Sequence, residues 1–341
     1  MRKEHNIEWI TNLRVLATIF VIVVHVSMES RYNGALYADL IYGGFARFCV
    51  PVFVMISGAL LLPREVPLVP FTKKWTMKVL LPFLFWSIPY ILYNFRQRIY
   101  LGETFTMLQA FKESCKYILQ GTTNFHFWYI YMIIGIYLFI PIIGKWARAA
   151  TEKELLYFLG IWFVAMCLQL PFISCFKPGV ELYYFTGYLG FLILGYYLSI
   201  ASFNYKLWHA ALLTFVGYAV TVLLTWSLTK ENAVFTHTYY DYLRPNIIVL
   251  SAGVFLLIKK MDFGFFRSGV LLKIRDGIAT YSYGIYLVHW LVILALLKFH
   301  VDWQLFTPLV GIPLTTLCCL VISFACVWIV NKFPFGKYIS G

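Results

Sequence analysis

Two groups that normally need water stand in one greasy stretch of this sequence. The run NLRVLATIFVIVVH (12–25) carries Arg14 near one end and His25 at the other. An ionisable side chain inside a membrane segment costs roughly 2.5–3.5 kcal/mol on insertion scales, so it usually faces a bundle interior or a wet cavity. At about 100° per residue, the step from Arg14 to His25 turns a helix about three full turns plus 20° and spans roughly 16 Å, so both side chains leave on one face. Thr11, Thr18 and Glu29 fall within about 60° of that line, which makes a long polar stripe and predicts the lining of a cavity or passage. Histidine takes up and releases a proton near neutral pH, which suits it to general acid–base work, while arginine remains a fixed cation. Glu29, one turn beyond His25, is placed to hold the other imidazole nitrogen and fix its tautomer.

Other candidates recur at comparable depth. Arg47 lies about two turns from the end of GGFARFCVPVFVMISGALLL, level with His25, and could stabilise developing negative charge or instead pair structurally with Glu29 or Asp39. FHFWYIYM (125–132) puts His126 and Trp128 at the start of an apolar run, where Trp128 also fits an interfacial aromatic belt. YSYGIYLVHW (281–290) sets Ser282, Tyr286 and His289 on one helical face, with His289 readable as a substrate contact or as a helix-packing hydrogen bonder. Lys73, Lys74 and Lys78 precede LLPF, and the i, i+4 pair Lys74 and Lys78 offers a phosphate-binding face, though topology alone also accounts for lysines there.

The elements that must carry these groups are membrane helices. The 341 residues are 61% hydrophobic, 20% aromatic and only 13% charged, with a mean hydropathy of +0.75. That balance excludes an ordinary soluble domain. A bilayer core of about 30 Å needs roughly 17–25 apolar residues per helix. Ten runs qualify, near 11–29, 41–62, 79–95, 127–144, 155–173, 183–200, 208–228, 245–260, 280–298 and 306–330. The fold class is therefore an all-α membrane protein, a polytopic bundle of about ten transmembrane helices forming one domain over 1–341. Lys and Arg concentrate in the loops that share a side with the N-terminus, which predicts cytoplasmic N- and C-termini. The net charge of +13 is this topology signal, so no nucleic-acid partner is expected. The cysteines show no CxxC spacing, and neither a disulfide framework nor a metal site is expected. TFTMLQAFKESCKYIL (104–119) repeats apolar residues at helical spacing and reads as an amphipathic helix at the outer interface, one that could also roof a site.

Taken together, several motifs resemble the acyltransferase 3 family of integral membrane acyltransferases, and especially its O-acetyltransferase branch acting on bacterial surface glycans. Arg14 and His25, with ten residues between them, match the first-helix signature. RFCVPVFVMISG (47–58) looks like the second-helix motif and KVLLPF (78–83) like the arginine-to-proline motif before the third span. FHFWYIYMIIGIYLFIPII looks like the HxWF-type fourth-span motif, and YSYGIYLVHWLVI like the late IYLxH motif. The similarity runs over about 10–330, and the whole pattern resembles the enterobacterial common antigen O-acetyltransferase type, a stand-alone ten-helix form. Some members of the family carry a C-terminal hydrolase-like domain, which is not expected here. Lys74 and Lys78 stand where the family usually has arginines, and lysine binds phosphate without the bidentate fork.

The resemblance implies acetyl-CoA as acyl donor, reached from the cytoplasm, and a glycan or lipid-linked sugar as acceptor, in a bacterial cytoplasmic (inner) membrane. It implies His25 as general base and Arg14, Lys73, Lys74 and Lys78 on the donor, together with Arg267, Lys273 or Arg275; Arg47 joins His25 on depth, and Glu29 on spacing alone. His126, Trp128, Tyr286 and His289 would contact substrate. The residues alone leave two other readings open: a glycolipid transporter or flippase, because a polar stripe also suits a pathway, and a scaffold in which these groups only pack the bundle.

Overall fold

A computed structural model describes residues 2–65, 67–173, 187–264 and 268–341, with the side chains of 2–7 left aside. Arg267 and Cys175 lie outside the described residues, as does the start of the run expected at 183–200. The described residues are helical with no strand, the arrangement a bilayer imposes because a helix satisfies its own backbone polar groups. In chain order the helices are α1 (Arg2–Met28), α2 (Leu36–Ala46), α3 (Cys49–Leu61), α4 (Leu68–Trp75), α5 (Leu81–Tyr100), α6 (Met107–Gln120), α7 (Trp128–Ala149) and α8 (Glu152–Cys167). They continue with α9 (Leu189–Ile200), α10 (Leu207–Asn232), α11 (Pro245–Lys260), α12 (Gly269–Thr280), α13 (Ser282–Lys298), α14 (Pro308–Asn331) and the short terminal turn α15 (Gly336–Ile339).

Seven of the expected runs are helical segments long and apolar enough to cross a membrane, and the count reaches eight if the bent pair α12 and α13 is one span. The remaining expected runs appear as the shorter helices α8 and α9. Expected spans also turn out to be interrupted. The second breaks at Arg47 and Phe48 between α2 and α3. The third runs from α4 through a π turn (Thr76–Leu80) into α5. The ninth begins at an 80° bend between α12 and α13. Such breaks sit where backbone is shielded by protein or lines a cavity.

Helix α1 is the axis of the bundle, packing against α2, α3, α11, α12, α13 and α14. The amphipathic segment forms α6, closed by a Thr106–Gln109 capping box and by Gly121 at φ +73°. It lies against α5 through Arg98, which bonds Glu103, Glu113 and Tyr117, and leaves Leu108 and Phe111 exposed. It roofs no described cavity.

Helix α3 and helix α9 meet at very short range because Gly58 and Gly195 have no side chain to hold them apart. A Cβ on Gly195 would fall inside van der Waals contact of the Met55 carbonyl oxygen, and one on Gly58 would do the same at Leu192. This is the small-residue packing that membrane helices use in place of a hydrophobic driving force. Gly195→Val is expected to destabilise the protein by about 1–3 kcal/mol or more through overpacking, read as a lowered thermal midpoint in detergent, whereas Gly135→Ala, with open space at its Cβ, is expected to leave it unchanged.

Candidate active site

Of the polar stripe on α1, Arg14 lines a cavity of about 490 Å³. Arg14 and Val21 line it from α1, Ser57 from α3, Lys78 from the π turn, and Tyr137 from α7. The 80° bend contributes Thr280, Ser282, Tyr283 and Tyr286, so the break in the ninth run opens directly onto the space. Small hydrogen bonds fix the walls: Ser57 Oγ lies 3.2 Å from Tyr137 Oη, and Tyr283 Oη donates to the Val79 carbonyl at 2.9 Å. Thr18 is spent within its own helix, donating to the Arg14 carbonyl at 2.8 Å. Among the described residues no carboxylate forms an ion pair with Arg14 or Lys78. A cavity in a membrane bundle whose cations lack an acid is suited to an anionic ligand.

The lysine run divides here. Lys74 and Lys78 were expected to act together, but Lys74 lies on α4 and Lys78 stands on the π turn that follows it. Lys78 lines the cavity, while Lys73 and Lys74 remain exposed on α4 outside it. Arg275 pairs with Glu8 at 3.5 Å and with Asp276 at 2.8 Å, and Lys273 does not line the cavity either.

One turn of α1 beyond Val21, His25 meets two further imidazoles. Its ring centroid lies 5.1 Å from His289 and 6.1 Å from His126, and those two are 5.1 Å apart. Tyr286 joins this cluster to the cavity: it lines the cavity, and its ring stands 5.7 Å from His126 and 5.8 Å from His289. Its hydroxyl donates to the His126 carbonyl, while Tyr90 donates to the Leu287 carbonyl at 2.8 Å. Phe125 and Trp290 pack edge-on against His25 and close the group from the side.

Hydrogen bonding assigns the protons of two of these rings. His289 Nδ1 lies 2.6 Å from the Tyr286 carbonyl, which can only accept, so Nδ1 carries the proton and Nε2 the lone pair. His126 Nδ1 lies 2.7 Å from Asn124 Oδ1 and is oriented the same way. Both Nε2 atoms are buried with no hydrogen-bond partner, as is His25 Nδ1. Three buried ring nitrogens without partners thus lie in one cluster, each able to bond a hydroxyl. Among the described residues no His, Cys, Asp or Glu grouping has the geometry to hold a metal ion.

Glu29 does not hold His25. Helix α1 ends at Met28 and Glu29 opens a 3-10 turn (Glu29–Arg31), while His25 Nδ1 has no hydrogen-bond partner. Arg47 is buried at the break between α2 and α3, with its Nε unpartnered and its guanidinium over the rings of Tyr240 at 4.5 Å and Tyr242 at 5.7 Å. Tyr242 in turn stacks at 5.6 Å on Trp128, which is 37% exposed. Asp39 pairs through Oδ1 with Arg31 at 3.0 Å and accepts there from Ser27 at 2.9 Å, while its Oδ2 has no hydrogen-bond partner. The short stretch YYDYL (239–243) signals an aromatic patch in the sequence, but not that it would cage Arg47.

A family model described as an acyltransferase domain matches residues 7–332. The chain belongs to the acyltransferase 3 family. Comparison with curated proteins and with solved structures gives no match. Family membership and the apolar helices together support acyltransferase activity in a membrane.

The Arg31–Asp39 pair is buried on both sides, with 2% and 0% of the side chains exposed. Removing one member of such a pair leaves an uncompensated buried charge. Asp39→Ala is expected to lose about 3–5 kcal/mol of stability, measured as a fall in thermal midpoint, and Asp39→Glu to lose less.

Proposed function

We propose that this chain transfers an acetyl group from acetyl-CoA, supplied from the cytoplasm, to a hydroxyl of a cell-surface glycan or its lipid-linked precursor, in a bacterial inner membrane. The enterobacterial common antigen O-acetyltransferase type is the form it resembles. The observation that carries this reading is the cavity itself: unpaired cations at Arg14 and Lys78, a mixed apolar and tyrosine lining, and a far end that meets three imidazoles through Tyr286. Such a lining suits a donor with an anionic nucleotide and a long neutral arm. Lysine and arginine concentrate on the side of Lys78, which supports a cytoplasmic opening by the positive-inside rule. Lys73 and Lys74, exposed just outside, add attraction for the nucleotide.

In this account Arg14 steers the donor, because it lies about three helical turns from His25. His25 takes the proton of the acceptor hydroxyl as the new C–O bond forms and the C–S bond breaks, and it returns that proton to the departing sulfur. The Tyr286 carbonyl and Asn124 set His289 and His126 to accept through Nε2, so they take hydrogen bonds from other hydroxyls of the sugar and keep it oriented. Arg47 supplies N–H donors to the carbonyl oxygen as negative charge builds there, in a site with little water. Trp128 and Tyr242 offer a platform for the sugar ring.

The test uses inside-out vesicles, acetyl-CoA labelled in its acetyl group, and a glycan-containing acceptor fraction. Wild type is expected to release CoA and label the glycan. His25→Ala is expected to lose about 10²–10⁴ in rate and Arg47→Ala about 10²–10³, with both variants folded. Full activity in His25→Ala, or no donor consumption by wild type with a proven acceptor, would overturn the mechanism.

A further inference from the structure

One wall of the cavity lies beyond the residues that the family model matches. The family model ends its match at residue 332, yet Lys337, Ser340 and Gly341 line the space beside Arg14 and Lys78. The terminal turn α15 packs against α5 and against the π turn that carries Lys78. It is fastened in two ways. Asn331 Nδ2 donates to Ser340 Oγ at 2.9 Å, and the Ser340 carbonyl lies where a Cβ on Gly284 would have to stand. That glycine sits just after the 80° bend of the ninth run. The turn is therefore locked onto the bend and the π turn, the two irregular pieces of backbone that open the cavity.

Lys337 is exposed at this wall, and among the described residues it forms no ion pair; its ammonium stands 5.0 Å from the centre of the Tyr338 ring. A single lysine near water explains itself. Here three cations from three separate elements, Arg14 on α1, Lys78 on the π turn and Lys337 on α15, line one cavity with no carboxylate paired to any of them. Like charges gathered in this way repel, and the repulsion is relieved when an anion of several charges sits among them.

We propose that the terminal turn is part of the donor site and that Lys337 binds the phosphates of the donor nucleotide. This rests on reading the cavity as the acyl-CoA site. Lys337 makes no contact with the histidine cluster, so it contributes to holding the donor and not to the transfer step.

Equilibrium binding to the purified full chain in nanodiscs tests this, with radiolabelled CoA as probe and pantetheine, which lacks the nucleotide, as competitor. Lys337→Ala is expected to weaken CoA binding about 3- to 30-fold, at and below the range for a hydrogen bond to a charged group because Lys337 is exposed to water, and to leave the pantetheine affinity unchanged. Lys337→Arg is expected to restore CoA binding to within about twofold, since the charge is kept. Gly284→Ala, which displaces the turn without touching a charge, is expected to reproduce the loss. Unchanged CoA affinity in Lys337→Ala would overturn the proposal, as would equal weakening of CoA and pantetheine, which marks a purely structural role. Absence of CoA binding by wild type would overturn both this proposal and the donor reading beneath it.

Discussion

Everything in this bundle is arranged around the cost of carrying Arg14 and His25 through an apolar interior on one face of α1. Neither group can face lipid cheaply, so α1 must stand at the centre, and it packs against α2, α3, α11, α12, α13 and α14. Around Arg14 the neighbours withdraw into broken backbone, the π turn and the α12–α13 bend, leaving a cavity instead of packing. Around His25 they close in with two more histidines and a shell of aromatic rings. A single polar stripe thus has two environments, one open and cationic, one closed and rich in lone pairs.

The division has chemical sense for acyl transfer. Anion attraction works at the open end, where long-range charge can gather a donor. Proton transfer and oxyanion stabilisation need a confined, water-poor place, because the same hydrogen bonds are worth far more there. Arg47 keeps its Nε unpartnered: Asp39 pairs with Arg31 through Oδ1 and forms no ion pair with Arg47, whose guanidinium lies over the rings of Tyr240 and Tyr242. Exchanging those partners would neutralise Arg47 and cost it any role towards a substrate.

Much of this was legible in the sequence because it is local. Apolar run lengths located the helices, and the 3.6-residue period put Arg14 and His25 on one face. What failed was also local: Glu29 and Lys74 were placed by facing alone, and a shared face does not decide which side chain reaches a partner, since His25 Nδ1 is left unpartnered and of that lysine run Lys78 lines the cavity. The meeting of His25, His126 and His289 was hidden for another reason. Those residues lie on elements far apart in the chain, and only packing decides that Nε2 of two of them is left without a partner. Lys337 was invisible because nothing in its neighbourhood marks chemistry; it matters through where α15 docks.

The central claim is that donor and acceptor meet at His25, the donor arriving by way of Arg14 and Lys78. An experimental structure with a non-reactive acetyl-CoA analogue tests this most directly. Nucleotide density is expected at Lys78 and Lys337, with the arm passing Arg14 and the acetyl carbonyl among His25, His289 and Arg47. An analogue bound elsewhere on the bundle, with this cavity holding none of it, would contradict the account.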